Sequence, residues 1–222
     1  MASGLRRIVV LGTGGTIAGR AASGGDNIGY TAGEVGVADL LGGIDAPPGF
    51  ALVAEQVAQL DSKDMDFDVW LRLAERCRVW LAEPDVAGVV VTHGTDTIEE
   101  TAFFLQSVLA PAKPIVLTCA MRPASSLSPD GPQNLRDAMA VAVTPGASGT
   151  TVVCAGTVHG ALDVQKVHTY RLDAFSSGDA GPVGYVEEGM VRRVRDWPGA
   201  VPGAACGGLQ AVAAAVAAGG WP

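Results

Sequence analysis

Residues 7–19 read RIVVLGTGGTIAG: an apolar, β-branched run that breaks into a glycine-rich turn and resumes in residues suited to a helix. Ile8 to Leu11 are apolar at every position rather than every second one, as in a strand covered on both faces. The pattern of residues 6–12 (RRIVVLG) recurs at 87–94 (AGVVVTHG), 114–120 (PIVLTCA) and 150–156 (TTVVCAG). Between these runs, residues 66–83 place Val69, Leu73, Cys77 and Trp80 at helical spacing, and residues 96–110 and 133–143 follow the same period. Strand alternating with helix predicts an α/β fold: a doubly wound, mostly parallel sheet with helices on both faces, in three layers like Rossmann or flavodoxin folds. Ligands in such sheets bind outside the carboxyl ends of the strands. The turns GTGGTIAG, THGTDT and CAMRP therefore gather on one edge.

The 222 residues suffice for one sizeable core, and 48% hydrophobic with 17% charged residues is an ordinary globular composition. A formal charge of −8 argues against a nucleic-acid partner, whose phosphates demand clustered Lys and Arg. The one basic cluster, VRRVRD at 191–196, reads as a solvated face. Cys77, Cys119, Cys154 and Cys206 show no metal-ligand spacing, and Cys119 and Cys154 read as small buried hydrophobes. His93, His159 and His168 are scattered too widely in sequence to suggest a metal site. Gly12, Gly14 and Gly15 interrupt the N-terminal apolar stretch before it forms a signal-peptide core, and no run approaches the roughly 18 apolar residues of a membrane span. A cytoplasmic protein without a membrane partner is the expectation.

The turn at 12–16 (GTGGT) has two chemical readings. Phosphate cradling fits poorly, because the dinucleotide fingerprint needs a third glycine three residues beyond the second, and no Gly-Lys-Ser/Thr loop follows. Alternatively Thr16 is an exposed nucleophile, with the glycines letting a substrate approach backbone donors. A plain strand-to-helix turn with Thr16 as N-cap explains the same residues. Residues 20–35 (RAASGGDNIGYTAGEV) read as a mobile loop around Tyr30 that folds over a site. In VTHGTDTIEETAFFL (91–105) a strand ends at His93-Gly94 and a helix opens near Asp96; capping explains Asp96 or Thr97 but not Thr92 to Asp96 together.

With these two blocks in place, the chain resembles the bacterial-type L-asparaginase family. Further blocks follow in that family's order: GYTAGEVGV, DSKDM, AMRPASSLSPDGPQNL, GALDVQKVHT and GPVGYV, so that the resemblance spans residues 6–200 and its N-terminal catalytic domain. The resemblance implies hydrolysis of L-asparagine to L-aspartate and ammonia through an acyl-enzyme on Thr16, with no metal or cofactor expected. Tyr30 would activate Thr16 or close over it. Thr95, Asp96 and Lys166 would form a second catalytic group, Lys166 easing deprotonation of Thr95 or of a water. Asp96 would bind the substrate α-ammonium and Ser62 its α-carboxylate, with backbone of Gly15, Gly94 and Ala120 around the carboxamide. Preference for glutamine, or a non-catalytic module that binds asparagine or aspartate, are the alternatives. The resemblance also implies a homo-oligomer.

Two departures from the family pattern stand out. Lys63 occupies a position where glutamine is common, and its ammonium is expected to pair with the substrate carboxylate. After residue 200 nothing matches the family's smaller second domain; residues 201–222 read as a breaker-rich linker and an Ala/Val helix, LQAVAAAVAAGG.

Overall fold

β1 (Arg6–Gly14) leads through a 3-10 turn at Thr16–Ala18 into a small hairpin, β2 (Arg20–Ala21) and β3 (Tyr30–Thr31), in this computed structural model, which describes residues 4–199 and 208–219. The four-residue helix α1 (Val37–Leu40) then precedes β4 (Phe50–Leu60), α2 (Phe67–Ala82), β5 (Val86–Thr92), α3 (Ile98–Leu109), β6 (Ile115–Thr118), α4 (Gly131–Val143) and β7 (Thr150–Cys154). β8 (Thr157–Gly160), the pair β9 (Gln165–Lys166) and β10 (Phe175–Ser176), β11 (Gly184–Glu187) and β12 (Met190–Arg193) follow, and α5 (Gly208–Ala217) is the last described element.

The eight-stranded sheet has the order β12-β11-β8-β7-β6-β5-β1-β4. β4, β1, β5, β6 and β7 run parallel, whereas β8, β11 and β12 are added antiparallel at one end. The chain thus moves from β1 outward to β4 and then crosses back past β1 to β5. This reversal is a topological switch point, where open α/β sheets leave a crevice for ligand.

Successive strand residues point to opposite faces, and the core divides accordingly. Val9, Leu11, Val89, Val91, Ile115 and Leu117 pack with Leu73 and Cys77 of α2, Ile98 and Leu105 of α3, and Leu209 of α5. Ile8, Val10, Val90, Val116 and Val153 pack on the other face with Leu135, Ala138 and Met139 of α4. Helix α2 opens at Asp66, whose carboxylate accepts from Val69 N at 2.8 Å, satisfying a donor that the first turn leaves unpaired. On the edge strand β4, Glu55 accepts from Arg76 Nε at 2.5 Å and Trp80 Nε1 at 2.7 Å, tying strand to α2; the Arg76 hydrogen bond holds the Glu55 carboxyl below its ordinary range.

The mostly parallel α/β sheet is the expected architecture, and the three helices over 66–83, 96–110 and 133–143 are present. Three features differ. No helix follows Thr16: the turn holds three residues, its capping position is Gly15, which has no side chain to cap with, and the chain passes into a hairpin. The 11-residue strand β4 lacks the all-apolar signature because, at the sheet edge, it is only partly covered. The antiparallel end β8-β11-β12 is short and largely exposed beyond β8. The Ala/Val segment forms α5, whose Leu209 enters the core, while Cys206 lies outside the described residues.

Candidate active site

Four strand ends and two hairpins converge at the switch point. β1 supplies Thr16, the turn after β4 supplies Asp61 and Ser62, β5 supplies Thr95 and Asp96, and the turn after β6 supplies Met121. Tyr30 arrives on β3 and Lys166 on β9. Together they surround a polar cavity of about 200 Å³.

Backbone conformation and close approach explain the glycines. Gly14 and Gly15 have φ of 105° and 79°, in the left-handed region. A side chain on Gly15 would run into the backbone of Gly94, and one on Gly94 would strike Ser62 Oγ and Cβ. Gly15 N donates to Leu60 O at 2.8 Å. The β1 turn is therefore pressed between the ends of β4 and β5, and Thr16 and Thr95 each follow one of the two apposed glycines.

Two hydrogen-bonded groups face the cavity. Thr16 Oγ1 lies 2.6 Å from Tyr30 Oη. Across from it, Lys166 Nζ donates to Thr95 Oγ1 at 2.7 Å and to Asp96 Oδ1 at 2.5 Å, with the Lys166 side chain only 18% exposed. The backbone N–H of Lys166 donates to the Glu99 carboxylate, which fixes β9 against the start of α3. Ser62 Oγ accepts from Asp96 N at 3.2 Å, and Thr97 Oγ1 donates to Ser62 O at 2.8 Å, so the β4 and β5 turns are cross-braced. That arrangement leaves the Ser62 hydroxyl proton available to a bound anion.

Beneath this layer, His93 is fully buried, and burial lowers its pKa to about 4. Its Nδ1 is 2.8 Å from Gly94 O and its Nε2 is 2.9 Å from Thr101 Oγ1. A carbonyl only accepts, so in the neutral ring Nδ1 carries the proton and Nε2 is the acceptor; the one Thr101 hydroxyl proton is shared between this nitrogen and Thr97 O, each at 2.9 Å. Trp70 Nε1 completes the chain by donating to Thr101 Oγ1 at 2.8 Å. His93 thus braces the Gly94 turn as a neutral group.

The Met121 turn is held from α4. Asp130 accepts from Met121 N and Arg122 N, both at 2.9 Å, and Asn134 Nδ2 donates to Cys119 O at 2.9 Å.

Of the residues singled out from sequence, Thr16, Tyr30, Ser62, Thr95, Asp96 and Lys166 line the cavity together. Gly15 and Gly94 lie beneath it as the apposed backbone pair. Ala120 is fully buried beside Ile17 and Ala18, and Met121 is the residue of that turn facing the cavity. Lys63 is displaced from its expected place. The 3-10 turn at Ser62–Asp64 directs its side chain outward, 61% exposed, where Nζ pairs with Asp64 at 2.6 Å and Asp61 at 3.2 Å. Lining residues not anticipated include Asn27, Ile28, Asp61, Thr169 and Tyr170. Asp61 and Thr169 had a signal in the blocks DSKDM and KVHT; Asn27 and Ile28 had none beyond their proximity to Tyr30.

The family model "Asparaginase, N-terminal" matches residues 7–198. The chain is 42% identical over 193 residues to L-asparaginase 2 of Escherichia coli, a match covering 84% of this chain and 54% of that protein. It is 40% identical over 188 residues to a glutaminase-asparaginase of Pseudomonas fluorescens, covering 83% and 52%. Among solved structures, a probable cytoplasmic L-asparaginase from Campylobacter jejuni superposes with a TM-score of 0.80 at 40% identity, covering 86% of this chain and 59% of that one. The chain spans about half the length of the curated relatives it matches.

Proposed function

The chain belongs to the asparaginase family, and on that premise we propose that it hydrolyses L-asparagine to L-aspartate and ammonia through an ester on Thr16. The observation that carries the reading is the pairing of two hydroxyls with two activating partners in one cavity: Thr16 with Tyr30 at 2.6 Å, and Thr95 with Lys166 at 2.7 Å.

Thr16 Oγ1 attacks the carboxamide carbon as its proton passes to Tyr30 Oη, which in the same step releases its own phenolic proton to solvent; that is the one proton the overall hydrolysis sets free, and the departing ammonia takes it up as ammonium. A threonine hydroxyl is a weak nucleophile without such a partner. As the C–N bond breaks, the nitrogen needs a proton; Thr95 Oγ1, made a stronger donor by accepting from the Lys166 ammonium, is placed to deliver it. Ammonia leaves, and a water then adds to the ester carbon, returning a proton to Thr16 and restoring the proton lent by Thr95. The α-carboxylate of the substrate takes the Ser62 hydroxyl proton, and the α-ammonium faces Asp96, which keeps one oxygen for Lys166. The backbone beside Gly15 and Gly94 and the turn at Ala120–Met121 bound the carboxamide end.

A cavity of about 200 Å³ favours a short amino-acid amide. The resemblance to a protein named for both activities favours a secondary glutaminase activity. We favour a cytoplasmic location by analogy with the solved Campylobacter relative, although a Haemophilus influenzae relative is named periplasmic; no helix among the described residues is long and apolar enough to cross a membrane. Assembly with further copies of the chain is part of the same reading.

Ammonia release from L-asparagine, with Thr16→Ala as the comparison, tests the proposal. Release that vanishes in the variant, with an aspartyl adduct on Thr16 in the wild type, is expected. Thermal stabilisation by L-aspartate with no turnover would identify a binding module instead.

A further inference from the structure

The 3-10 turn that presents Thr16 to one cavity presents the next residue, Ile17, to another. This second cavity measures about 530 Å³, more than twice the 200 Å³ of the first, and falls within the roughly 300–1,000 Å³ typical of small-molecule sites. Its apolar lining includes Leu40 and Leu135 as well as Ile17, and its charged groups are Arg20, Arg122 and Asp39. No role in the reaction above uses it.

The charges select a ligand class. Arg7, Arg76 and Arg78 each meet a carboxylate, but neither cavity arginine does so among the described residues. Arg122 Nη1 donates to Ser128 O at 3.1 Å, leaving the rest of its fork open, and the Arg20 side chain has no hydrogen-bond or ion-pair partner among the described residues. Two guanidinium groups against one carboxylate leave a surplus of one positive charge in a chain whose formal charge is −8. An open guanidinium fork matches a carboxylate; a single surplus charge over an apolar floor matches a monoanion with an apolar body.

The walls also carry the site. Ile17 is packed so closely on the start of α4 that a Cβ on Gly131 would lie 2.8 Å from Ile17 Cγ1, so this side has no slack. Ala21, another lining residue, pairs across the hairpin with Tyr30, and its N–H is held by Ser125 Oγ at 2.8 Å. Thr16 and Tyr30 are thus each one covalent or strand-pairing step from a wall of the second cavity.

We propose that this cavity is a binding site for a small amphiphilic monocarboxylate, and that its occupancy alters the Thr16–Tyr30 pair. The binding stands independently of the asparaginase reading; the transmitted effect rests on it. Titration calorimetry on the full chain with octanoate, and with octanamide as the uncharged counterpart, tests the first part. Octanoate binds at one site per chain and octanamide about a hundred-fold more weakly, the worth of two charge-assisted contacts. Arg20→Gln and Arg122→Gln each weaken octanoate by about ten-fold and leave octanamide unchanged. Saturating L-aspartate does not displace octanoate. Equal affinity for the acid and the amide, unchanged binding in both arginine variants, or displacement by L-aspartate overturns the assignment. For the second part, octanoate changes kcat or KM for L-asparagine in the wild type, and at the same concentration has less effect on Arg20→Gln; unchanged kinetics at saturating octanoate overturns transmission. A chain that binds octanoate but releases no ammonia would refute the asparaginase reading and leave the binding site standing.

Discussion

Lys166 Nζ lies 2.7 Å from Thr95 Oγ1 and 2.5 Å from Asp96 Oδ1, so one ammonium binds two consecutive residues of the β5 turn from a strand 70 positions away. In the proposed reaction its charge strengthens Thr95 as a proton donor, and its hydrogen bond fixes the Asp96 carboxylate. Lys166→Met should lower kcat for L-asparagine by about 10³ with little change in melting temperature, since the group acts on a proton-transfer step. A variant retaining more than a tenth of wild-type turnover would remove Lys166 from the chemistry.

Thr16→Ala and Thr95→Ala should each cost at least about 10³ in kcat, and the double variant should cost far less than the product of the two, because residues acting as a unit are non-additive. Tyr30→Phe keeps the ring that packs over Gly19 and removes only the hydroxyl 2.6 Å from Thr16. A loss of about 10² in kcat is expected there, as for removal of a proton-transfer partner. Steady-state kinetics at saturating asparagine separates the three.

Lys63→Gln should leave KM for L-asparagine within about two-fold of wild type, because exposed ion pairs contribute little. The ammonium is engaged by Asp64 and Asp61 outside the cavity. A large rise in KM would return Lys63 to the substrate.

Stability should fall on mild acidification. Burial lowers both His93 and His159 from 6.5 to about 4. Each is depressed in the folded state, so at pH values between about 4 and 6.5 the unfolded chain binds more protons. The stabilisation is complete above 6.5, is lost as pH falls through this window, and levels off below about 4. It amounts to something on the order of 3 kcal/mol for each ring as an upper figure. Melting curves of His159→Asn should show a shallower fall between pH 6.5 and 4.5 than the wild type; an identical slope would exclude His159 as a source.

Much of this was legible beforehand because both faces of the central strands are covered, so Ile8–Leu11 and Val89–Val91 announce themselves without alternation. Thr16, Thr95 and Lys166 are singled out by ordered motifs rather than by periodicity, and they meet at one cavity. Strand β4 carries no such signature because an edge strand mixes exposed Gln56 and Gln59 and half-buried Glu55 with apolar neighbours. The expectation for Lys63 differs from the structure because sequence adjacency to Ser62 says nothing about direction: a 3-10 turn sends neighbouring side chains to different sides, and the nearby Asp61 and Asp64 supply a partner outside.

The apposition of Gly15 and Gly94 has a consequence for how far this protein can change and keep its chemistry. The residues bearing the two cavity hydroxyls, Thr16 and Thr95, are each one peptide unit from a contact made of main chain alone. No rotamer takes part in it, so the gauge between the two hydroxyls is set independently of which apolar residues fill the interior. Substitutions among Val89, Val91, Leu117 or Leu135 can therefore drift, trading volume and melting temperature, while the two turns stay in registration. Adding one methyl group at Gly15 or Gly94 spreads the gauge itself, and Gly94→Ala would drive a carbon into Ser62 at the same stroke. Around the cavity, the least room for added volume lies at two glycines rather than at any of the larger side chains.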